Sequence, residues 1–594
     1  MYRLLVLILS VLTIKSQIAV KDVTKKAFGN IESATIAAFG DINADRFTDI
    51  LVITSEGRID VLLSNKKEGF SRSTFLKGSS TSEIYGIIPT DFNGDGQMDV
   101  LVTYKAGKKL FNAGVHFGIP GETSVEPHIH WLTVDSNLAD LKDEPFLFDV
   151  NFDMYPDLLA ETKNDRIIWK IDKPLNNNFT ATIKNRTEHR LIVPHSSAFL
   201  DLGHDSSADY VLTTVNKDDI PVFEYYLSGK EEPQEITADI KGAKVYGQSS
   251  FTDLNQNTFA NHILPVCMDY ECKDSQIWVY LNETIGKQKW FRASEPFYNK
   301  HNKATWGFNN NKYGIKLRMG DFDSDGYQDA LVVLKRVDEN ESQYVESRAF
   351  ILYNRKCSKA FCQKLERYFD VDWSSGTSEN VTLATFFDYQ EDGKLDILVQ
   401  TDTGLKNGSR LKLYESKLDA DVCFMKVLVT NGLCYKNCAN DRPPYGVNVP
   451  GPAIRYDTVN INNRRQKSFG GQLSQSAHRA LQLPYVHFGL GQTPNFLDKL
   501  VVSIPSNLKR KEKVLTTVIP NSRIIIIPYP LDKPSSWTDK LFVNPGIKVL
   551  ITGGSLLGTC IFVAIIVGLL HWKERSDDKK EKRQDAHKFH FDAM

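Results

Sequence analysis

The sequence predicts an all-β protein: a seven-bladed β-propeller, then a small β-sandwich-like domain, one transmembrane helix and a short disordered tail. Three observations lead to this fold class. An Asp-rich loop of nine residues recurs seven times, β-type strands flank each copy, and an apolar segment lies near each end of the chain. Repeats with a spacing of several tens of residues are typical of propellers and solenoids.

The loops carry mostly Asp, Asn or Gln at positions 1, 3, 5 and 9. Their first residues are 50, 58, 52, 52, 68 and 67 positions apart, which predicts one structural unit per copy. Position 6 is Gly96, Gly326 or Gly393 in three copies, where we expect a sharp turn with positive φ. The richer copies are 41–49, 91–99, 149–157, 321–329 and 388–396, and the weaker ones are 201–209 and 253–261.

Each loop leads into an alternating apolar strand, such as DILVIT after the first loop and DVLVTY after the second. A third strand, often aromatic, follows later in most copies, as in IDVLLS and QIWVYL. β-Branched and aromatic residues in alternation, bounded by Gly, Asn and Asp, indicate antiparallel strands. Three or four strands per unit over residues 20–418 predict propeller blades around an axis, with a linear solenoid as the alternative.

The two apolar segments predict a single-pass type I membrane protein. Residues 1–19 have a charged start and a short apolar run, as in a secretory signal peptide that is cleaved between residues 16 and 19. Residues 549–570 contain no charge and are long enough to cross a bilayer, and Lys573 and Arg575 follow directly. We therefore expect the N-terminal part outside the cell, with the plasma membrane as the expected location. Gly554 and Gly558 form a small-residue face that would suit homo-association in the membrane.

The remaining segments are shorter. Residues 571–594 predict a disordered cytoplasmic tail that could recruit a cytoplasmic partner. Residues 419–530 predict a membrane-proximal β domain, and residues 531–548 a juxtamembrane linker. In the β domain, His487 is interpreted as a satisfied structural histidine, because its nearest companion, His478, is not at a recognisable metal-ligand spacing.

The loop pattern predicts structural calcium sites. Ca²⁺ prefers six to eight oxygen ligands, and a tight loop with carboxylate or amide oxygens at positions 1, 3, 5 and 9 can wrap one ion. At millimolar calcium we expect the ions to stabilise the blade edges. The alternative for a single loop is an Asx-type turn without metal. The predicted ligands are Asp41, Asn43, Asp45, Asp49, Asp91, Asn93, Asp95, Asp99, Asp149, Asn151, Asp153, Asp157, Asp321, Asp323, Asp325, Asp329, Asp388, Gln390, Asp392 and Asp396.

Two further patterns fit an oxidising extracellular compartment. Cys267 with Cys272 and Cys357 with Cys362 are predicted short-loop disulfides, while the pairing of Cys423, Cys434 and Cys438 stays open. An eighth cysteine, Cys560, lies in the predicted span. The predicted N-glycosylation sites are Asn178, Asn185, Asn282, Asn340, Asn380 and Asn407.

The loops, with Phe39 and Gly40 ahead of the first one, resemble the FG-GAP repeats of integrin α-subunit propellers. The order of signal peptide, repeats, β domain, span and tail looks like the T-cell immunomodulatory protein (linkin) family over essentially the whole chain. This resemblance implies a cell-surface adhesion or signalling protein with a modulatory role toward other cells in some members. The integrin Gly-Phe-Phe-Lys-Arg sequence after the span and an inserted ligand-binding domain are not found, so no integrin partner or ligand residue is implied.

These features favour a receptor-like protein that binds an extracellular protein partner. A glycan-binding propeller is the alternative. An enzyme is not expected, because the sequence contains no HExxH, nucleophile elbow or phosphate loop. Nucleic acid is not an expected partner either, because 72 basic residues are balanced by 73 acidic ones.

Overall fold

The protein is described by a computed structural model over residues 19–29, 31, 33–65, 69–76, 83–107, 109–119, 122–125, 130–131, 140–173, 178–184, 188–230, 232–286, 289–337, 346–404, 408–418, 422–432, 446–492, 496–506, 508, 511–543 and 547–591. The predicted features outside these residues are the signal peptide up to residue 18, Asn185, Asn340, Asn407, Cys434 and Cys438.

Between residues 19 and 417, the described strands form seven antiparallel sheets in chain order. Sheet 1 contains Ala34–Gly40, Asp49–Thr54, Ile59–Asn65 and Gly69–Leu76. Sheet 2 contains Ile84–Thr90, Asp99–Lys105, Phe111–His116 and His130–Trp131. Sheet 3 contains Phe146–Phe148, Asp157–Glu161, Arg166–Lys173 and Asn178–Lys184. Sheet 4 contains Arg190–Leu191, Ala198–Leu200, Asp209–Val215, Pro221–Tyr226 and Gln234–Thr237.

The next sheets follow the same plan. Sheet 5 contains Val245–Tyr246, Ser250–Thr252, Asn261–Cys267, Ser275–Tyr280 and Trp290–Arg292. Sheet 6 contains Tyr298–Asn299, Ala304–Phe308, Arg318–Gly320, Asp329–Val337, Ser347–Lys356 and Arg367–Val371. Sheet 7 contains Ala19–Asp22, Val381–Phe387, Asp396–Asp402 and Ser409–Lys417. Short helical segments are Thr24–Phe28, Asn282–Thr284, Ala360–Cys362 and Pro534–Ser536.

The sheets close into a ring. A separate hydrophobic cluster joins each sheet to the next, and another joins sheet 7 to sheet 1. The N-terminal strand Ala19–Asp22 also pairs with Ser409–Lys417 at the other end of the repeats, from Ala19 opposite Lys417 to Asp22 opposite Tyr414. Ring closure leaves only short, protected strand edges. The predicted β-propeller is confirmed, and its first strand begins at Ala19. The signal peptide stays a prediction.

The β domain is a sandwich of two four-stranded sheets. Sheet 8 has the order Val486–Gly491, Cys423–Val429, Ser522–Ile527 and Thr538–Val543. Sheet 9 has the order Arg465–Gly471, Ala453–Val459, Leu497–Ser503 and Glu512–Val518. Their inner faces share one hydrophobic cluster, which includes Trp537. The predicted domain end at residue 530 and the linker over 531–548 are therefore wrong, since Thr538–Val543 is an edge strand and Trp537 is buried in the core.

The connection between the strands Arg465–Gly471 and Val486–Gly491 enters the centre of the propeller, and we call residues 472–485 the channel segment. It contacts the first strands of several sheets. The Gln475 side chain accepts a hydrogen bond from the Phe39 N–H at 2.9 Å, the Ser476 hydroxyl accepts one from the Leu147 N–H at 3.1 Å, and the Leu481 carbonyl accepts one from Thr385 at 3.3 Å. The channel segment thus fills the axis of the ring.

The C-terminal helix Ile547–Phe591 is a unit of its own. Its apolar part is long enough to cross a membrane and contains the predicted span 549–570, including Cys560, Gly554 and Gly558. The helix also continues through the predicted disordered tail up to Phe591. The charged residues after the span are good helix formers, and Lys580 lies 3.5 Å from Asp577 one turn earlier, so the tail can extend the helix.

Candidate calcium loops and their contact with the β domain

The first Asp of each loop has a structural role that needs no metal. In loop 321–329, the Asp321 carboxylate accepts hydrogen bonds from the N–H groups of Asp325 at 3.0 Å and Gly326 at 2.8 Å. The other loops make the same pair of bonds from their fifth and sixth N–H groups, at Asp41, Asp91, Asp149, Asp201, Asp253 and Asp388. This explains why the two weaker loops adopt the same conformation.

The ninth residue fastens the loop to its sheet. Asp329 accepts bonds from the N–H of Phe322 at 3.0 Å and from the N–H of Asn354, on the next strand, at 2.8 Å. Equivalent paired bonds are made by Asp49, Asp99, Asp157, Asp209 and Asp396. Positions 1 and 9 therefore define the turn, and positions 3 and 5 add the oxygens that distinguish a metal loop from a plain one.

The expected turn at position 6 is present, but glycine is not required for it. Gly326 and Gly393 have φ values of 94° and 82°, and Arg46 in the first loop has a φ of 75°. Position 4 is also left-handed in every loop, a feature that the sequence analysis missed. The non-glycine residues with positive φ at these two positions are Ala44, Arg46, Phe152, Met154, His204, Ser206, Gln256, Thr258, Ser324 and Glu391. Positive φ at a non-glycine residue costs conformational energy, and the paired hydrogen bonds to the first Asp offset this cost by holding the turn in place.

The acidic oxygens are closest together in loop 321–329. One carboxylate oxygen from each of Asp321, Asp323 and Asp325 lies within 4.8 Å of the others, the only such group among the described residues. Burial and the Asp323 charge raise the pKa of Asp325 to about 6, and burial raises the pKa of Asp321 well above its ordinary value. Asp323 Oδ1 is buried without a hydrogen-bond partner in this part of the structure. These features describe a cluster that a divalent cation would stabilise.

The remaining predicted ligands occupy the same positions in the other loops. Asn43, Asn93 and Asn151 each donate a side-chain hydrogen bond to the acidic residue at position 5, which is Asp45, Asp95 or Asp153. Gln390 instead turns away from its loop and donates to Glu415. The third predicted ligand of loop 388–396, Asp392, accepts the N–H of Lys394 at 3.1 Å.

The β domain supplies a cation to loop 388–396. Lys426 Nζ bonds the Asp388 carboxylate and lies 2.6 Å from Glu391 Oε2, and its side chain is 2% exposed. Arg523 lies 3.6 Å from the same Glu391 carboxylate. Burial alone would raise the pKa of Glu391, but Lys426 and Arg523 outweigh it and lower the pKa. The Asp388 and Glu391 charges raise the pKa of Lys426, which stays charged despite its burial.

Other loops also contact the β domain. The Asn431 side-chain amide donates to Asp91 at 2.8 Å, and the Arg455 guanidinium lies 2.5 Å from Asp201. The Phe469 N–H donates to Asp253 at 3.2 Å. In loop 321–329 the contact is through the backbone, where the Gly491 N–H donates to the Ser324 carbonyl at 2.8 Å. The β domain thus covers the face of the propeller on which the loops lie.

The two histidines considered in the sequence have separate structural roles. His487 is buried, and its Nε2 lies 2.8 Å from the Gly393 carbonyl, while its buried Nδ1 has no hydrogen-bond partner among the described residues, so the predicted satisfied histidine is satisfied at one ring nitrogen only. His478 lies in the channel segment and stacks on Tyr85 with a centroid distance of 4.1 Å. The channel segment and Lys426 were not predicted, because no periodicity or charge pattern distinguishes them from ordinary strand and loop residues.

The covalent predictions have mixed outcomes. The disulfides Cys267–Cys272 and Cys357–Cys362 are present with S–S distances of 2.08 and 2.03 Å. Glycosylation of Asn282 is contradicted, since its side chain is 2% exposed and its amide donates to the Ala260 carbonyl. A glycan on this nitrogen would have no space in the folded domain. Asn380 is half-buried and Asn178 begins a strand, and glycosylation of both stays a prediction.

The geometry defines a class of protein: a propeller with Asp-rich loops, capped by a β domain and joined to a helix that can span a membrane. The family profile described as FG-GAP-like repeat matches residues 21–102, and the one described as ITFG1, C2 domain matches residues 444–542. The T-cell immunomodulatory protein of Homo sapiens is 36% identical over 604 residues, which cover 97% of this chain and 95% of the relative. The chain belongs to the T-cell immunomodulatory protein family.

More distant proteins are also similar. The protein linkin of Caenorhabditis elegans is 25% identical over 607 residues, which cover 94% of this chain and 95% of linkin. Among solved structures, the BP39L lectin from Burkholderia pseudomallei covers 64% of this chain and 95% of its own, with a TM-score of 0.37 and 10% identity. A likeness at this level carries no argument about glycan binding.

Proposed function

We propose that this chain is a receptor-like adhesion protein of the cell surface that binds an extracellular protein partner and modulates contact or immune-type signalling between cells. The observation that carries the proposal is its relationship to the T-cell immunomodulatory protein over 97% of the chain. The basic residues that follow the span support an orientation with the propeller outside, and the plasma membrane is the proposed location.

The partner would bind the face of the propeller opposite the Asp-rich loops. The β domain contacts the loop face through Lys426, Asn431 and Arg455, so this face has little room for another protein. The opposite face, which we call the open face, is formed by turns such as 55–58 and 402–404. No backbone hydrogen bond joins these described turns to the β domain. Turns on a rigid scaffold are the usual carriers of recognition.

Structural calcium is part of the proposal. Loop 321–329 fits the ion best, because Asp321, Asp323 and Asp325 converge and Asp323 Oδ1 is an orphaned buried acceptor. Loops 41–49, 91–99 and 149–157 would hold further ions through their residues at positions 1, 3 and 5. In loop 388–396, Lys426 already provides the positive charge for Asp388, so this loop would bind calcium more weakly than its sequence predicts.

A non-catalytic role fits the state of the carboxylates. The Asp residues at positions 1 and 9 of the loops already accept backbone hydrogen bonds, as for Asp321 and Asp329, and are committed to the turn rather than free for proton transfer. The proposed chemistry is therefore binding and not turnover.

The test is capture of the purified extracellular part, residues 19–543, on intact cells, with cross-linking and mass spectrometry. We expect one saturable protein partner, and we expect that charge-reversed or bulky substitutions in turns of the open face, such as Gly57→Trp, abolish its capture. A matched substitution in a turn of the β domain, Asn462→Trp, should have no effect. The absence of saturable binding to any protein, or capture that free sugars block, would contradict the proposal.

A further inference from the structure

The tip of the channel segment reaches the mouth of the axial channel on the open face. Gln475 bonds Phe39 near the end of the strand Ala34–Gly40, whereas Arg479 Nη1 donates at 3.2 Å to the carbonyl of Ile36 near its start. The segment therefore crosses the channel from the loop side and places Arg479 at the opposite mouth, about 10 Å along the strand.

A cavity of about 520 Å³ lies at this mouth. Its lining includes Arg479, His478, Tyr85 and Tyr313, and also the acidic residues Glu56, Glu83 and Asp402. Gln400 donates to the Tyr313 hydroxyl at 2.9 Å, which fixes the phenol in place. The lining is more polar than apolar, so a ligand would be held here mainly through hydrogen bonds and charge.

Arg479 is a buried cation with unused hydrogen-bonding capacity. Its residue exposure is 7%, and in the described part of the chain the only hydrogen bond of its guanidinium is the one from Nη1 to the Ile36 carbonyl. Nε is buried without a partner, and no carboxylate of the described residues lies within 4.0 Å of the guanidinium. A guanidinium has five donors in a rigid fork that matches a carboxylate, so most of its capacity is available here.

Two other basic residues, Lys316 and Arg318, lie near Arg479, and burial lowers the pKa of each, that of Lys316 well below its ordinary value. Arg318 donates to the Arg479 carbonyl and Lys316 donates to the Ala477 carbonyl at 3.1 Å, but neither forms an ion pair within the described residues. The nearest acid, Glu144, is buried and accepts the His478 N–H. Burial and the Asp143 charge raise the pKa of Glu144 to about 8, and burial raises the pKa of Asp143 to about 7, so at neutral pH the two carboxyls carry only part of their negative charge.

We propose that this cavity binds a carboxylate of the extracellular protein partner, an Asp or Glu side chain or a chain terminus, with Arg479 as the residue that recognises it. The inference rests on the proposed function and gives it a site. The rim fits a peptide rather than an isolated anion, because it carries both signs of charge: Lys105 pairs with Glu83 at 2.6 Å, and Lys312 is exposed beside Tyr313. A protein segment can present groups that complement both.

The test uses the full-length chain in nanodiscs and two small probes that differ only in charge, N-acetyl-glutamate methylamide and N-acetyl-glutamine methylamide. Binding is measured by ligand-observed NMR. We expect the glutamate probe to bind at least tenfold more tightly than the glutamine probe, and Arg479→Gln to remove this preference. A second variant, Ser55→Trp, changes an exposed residue at the rim and narrows the cavity without altering the channel segment. We expect it to weaken binding of the glutamate probe as well. It replaces Arg479→Gln in the test if that variant does not fold.

Equal binding of the two probes, no binding of either, or a preference that survives both substitutions would overturn the proposal. Tight binding of glucuronate with no binding of the glutamate probe would also overturn it, in favour of an acidic sugar. Cell capture separates this site from the proposed function. If the Arg479→Gln variant still captures the partner, only the proposed site is contradicted. If the unmodified protein captures no partner, the proposed function itself is contradicted.

Discussion

Loops 321–329 and 388–396 have nearly the same sequence pattern but different electrostatic surroundings. Both begin with a buried Asp, carry Gly at position 6 and fold with the same paired backbone bonds. In the first, Asp321 and Asp325 have no Lys or Arg within 4.0 Å in the described structure, and Arg355 lies 3.4 Å from Asp323. In the second, Lys426 bonds Asp388 directly. The difference teaches that a docked domain can supply the positive charge that a calcium ion would supply in the other loop.

The largest effect should come from removing the cation of loop 388–396. Lys426→Met leaves Asp388 and Glu391 buried with only the more distant Arg523, and we expect a loss of about 3–5 kcal/mol in the free energy of unfolding. Denaturant unfolding at fixed calcium measures it. The exposed Lys499→Met on the same domain is the control and should cost less than about 0.5 kcal/mol. Similar losses in both variants would show that Lys426 does not neutralise the loop.

The next effect tests how closely the β domain approaches the same loop. A Cβ at Gly393 would lie 2.3 Å from the Phe424 ring, and the residue has a φ of 82°. We expect Gly393→Ala to cost about 2–4 kcal/mol from strain and overpacking. Gly229→Ala is the matched control, because Gly229 has a φ of 76° with nothing within 4 Å of its Cβ, and only the strain of about 1–2 kcal/mol applies. Equal costs would place Phe424 away from the loop.

Calcium should distinguish the two loops directly. At about 1–2 mM calcium and a Kd of about 0.1–1 mM, each occupied loop adds ~0.4–1.8 kcal/mol to the free energy of unfolding. We expect Asp323→Asn to remove a measurable part of the calcium-dependent rise in Tm, while Asp392→Asn in loop 388–396 removes little. Thermal unfolding across a calcium titration measures both. A larger effect of Asp392→Asn would reverse the ranking of the two loops.

The smallest expected change in the free energy of unfolding concerns the Glu144 carboxyl, which has no Lys or Arg within 4.0 Å among the described residues. Burial and Asp143 raise the pKa of Glu144 from an ordinary 4.5 to about 8. A raised carboxyl pKa favours folding below the unfolded pKa, and this contribution is lost as pH rises through about 8. Between pH 7 and 8, the wild type should therefore lose about 1 kcal/mol more stability than Glu144→Gln.

Unfolding in denaturant at the two pH values, with calcium held constant, tests the Glu144 prediction. Other groups near this carboxyl are Tyr85, Lys316, His478, Arg479 and Asp143, and the pKa of Asp143 is itself raised to about 7. All five are present in both proteins, so the measured quantity is the difference between the two slopes of stability against pH. His195 does not contribute in this window, because burial lowers its pKa to about 4. Identical slopes in the two proteins would mean that Glu144 ionises normally.

Much of the fold followed from local pattern. Alternating strands after each loop, such as Asp49–Thr54 and Asp396–Asp402, are β-branched and apolar enough to predict their type and order. The strand Thr538–Val543 was missed because it is an edge strand with exposed polar residues and only Trp537 beside it signals a core. The cavity was missed for a different reason: Arg479 lies in a loop without periodicity, and its position depends on contacts with strands more than 100 residues away.

The sequence by itself determined the repeat, the turn chemistry of the Asp-rich loops and the apolar span, because each depends on residues close together in the chain. It also determined the family, through similarity over nearly the whole length. Only the tertiary structure decided which loops receive a cation from the protein, which face the β domain covers and what fills the channel. These depend on where Lys426 and Arg479 come to lie once the sandwich docks, and burial then sets the electrostatic cost of every charge that is left without a partner.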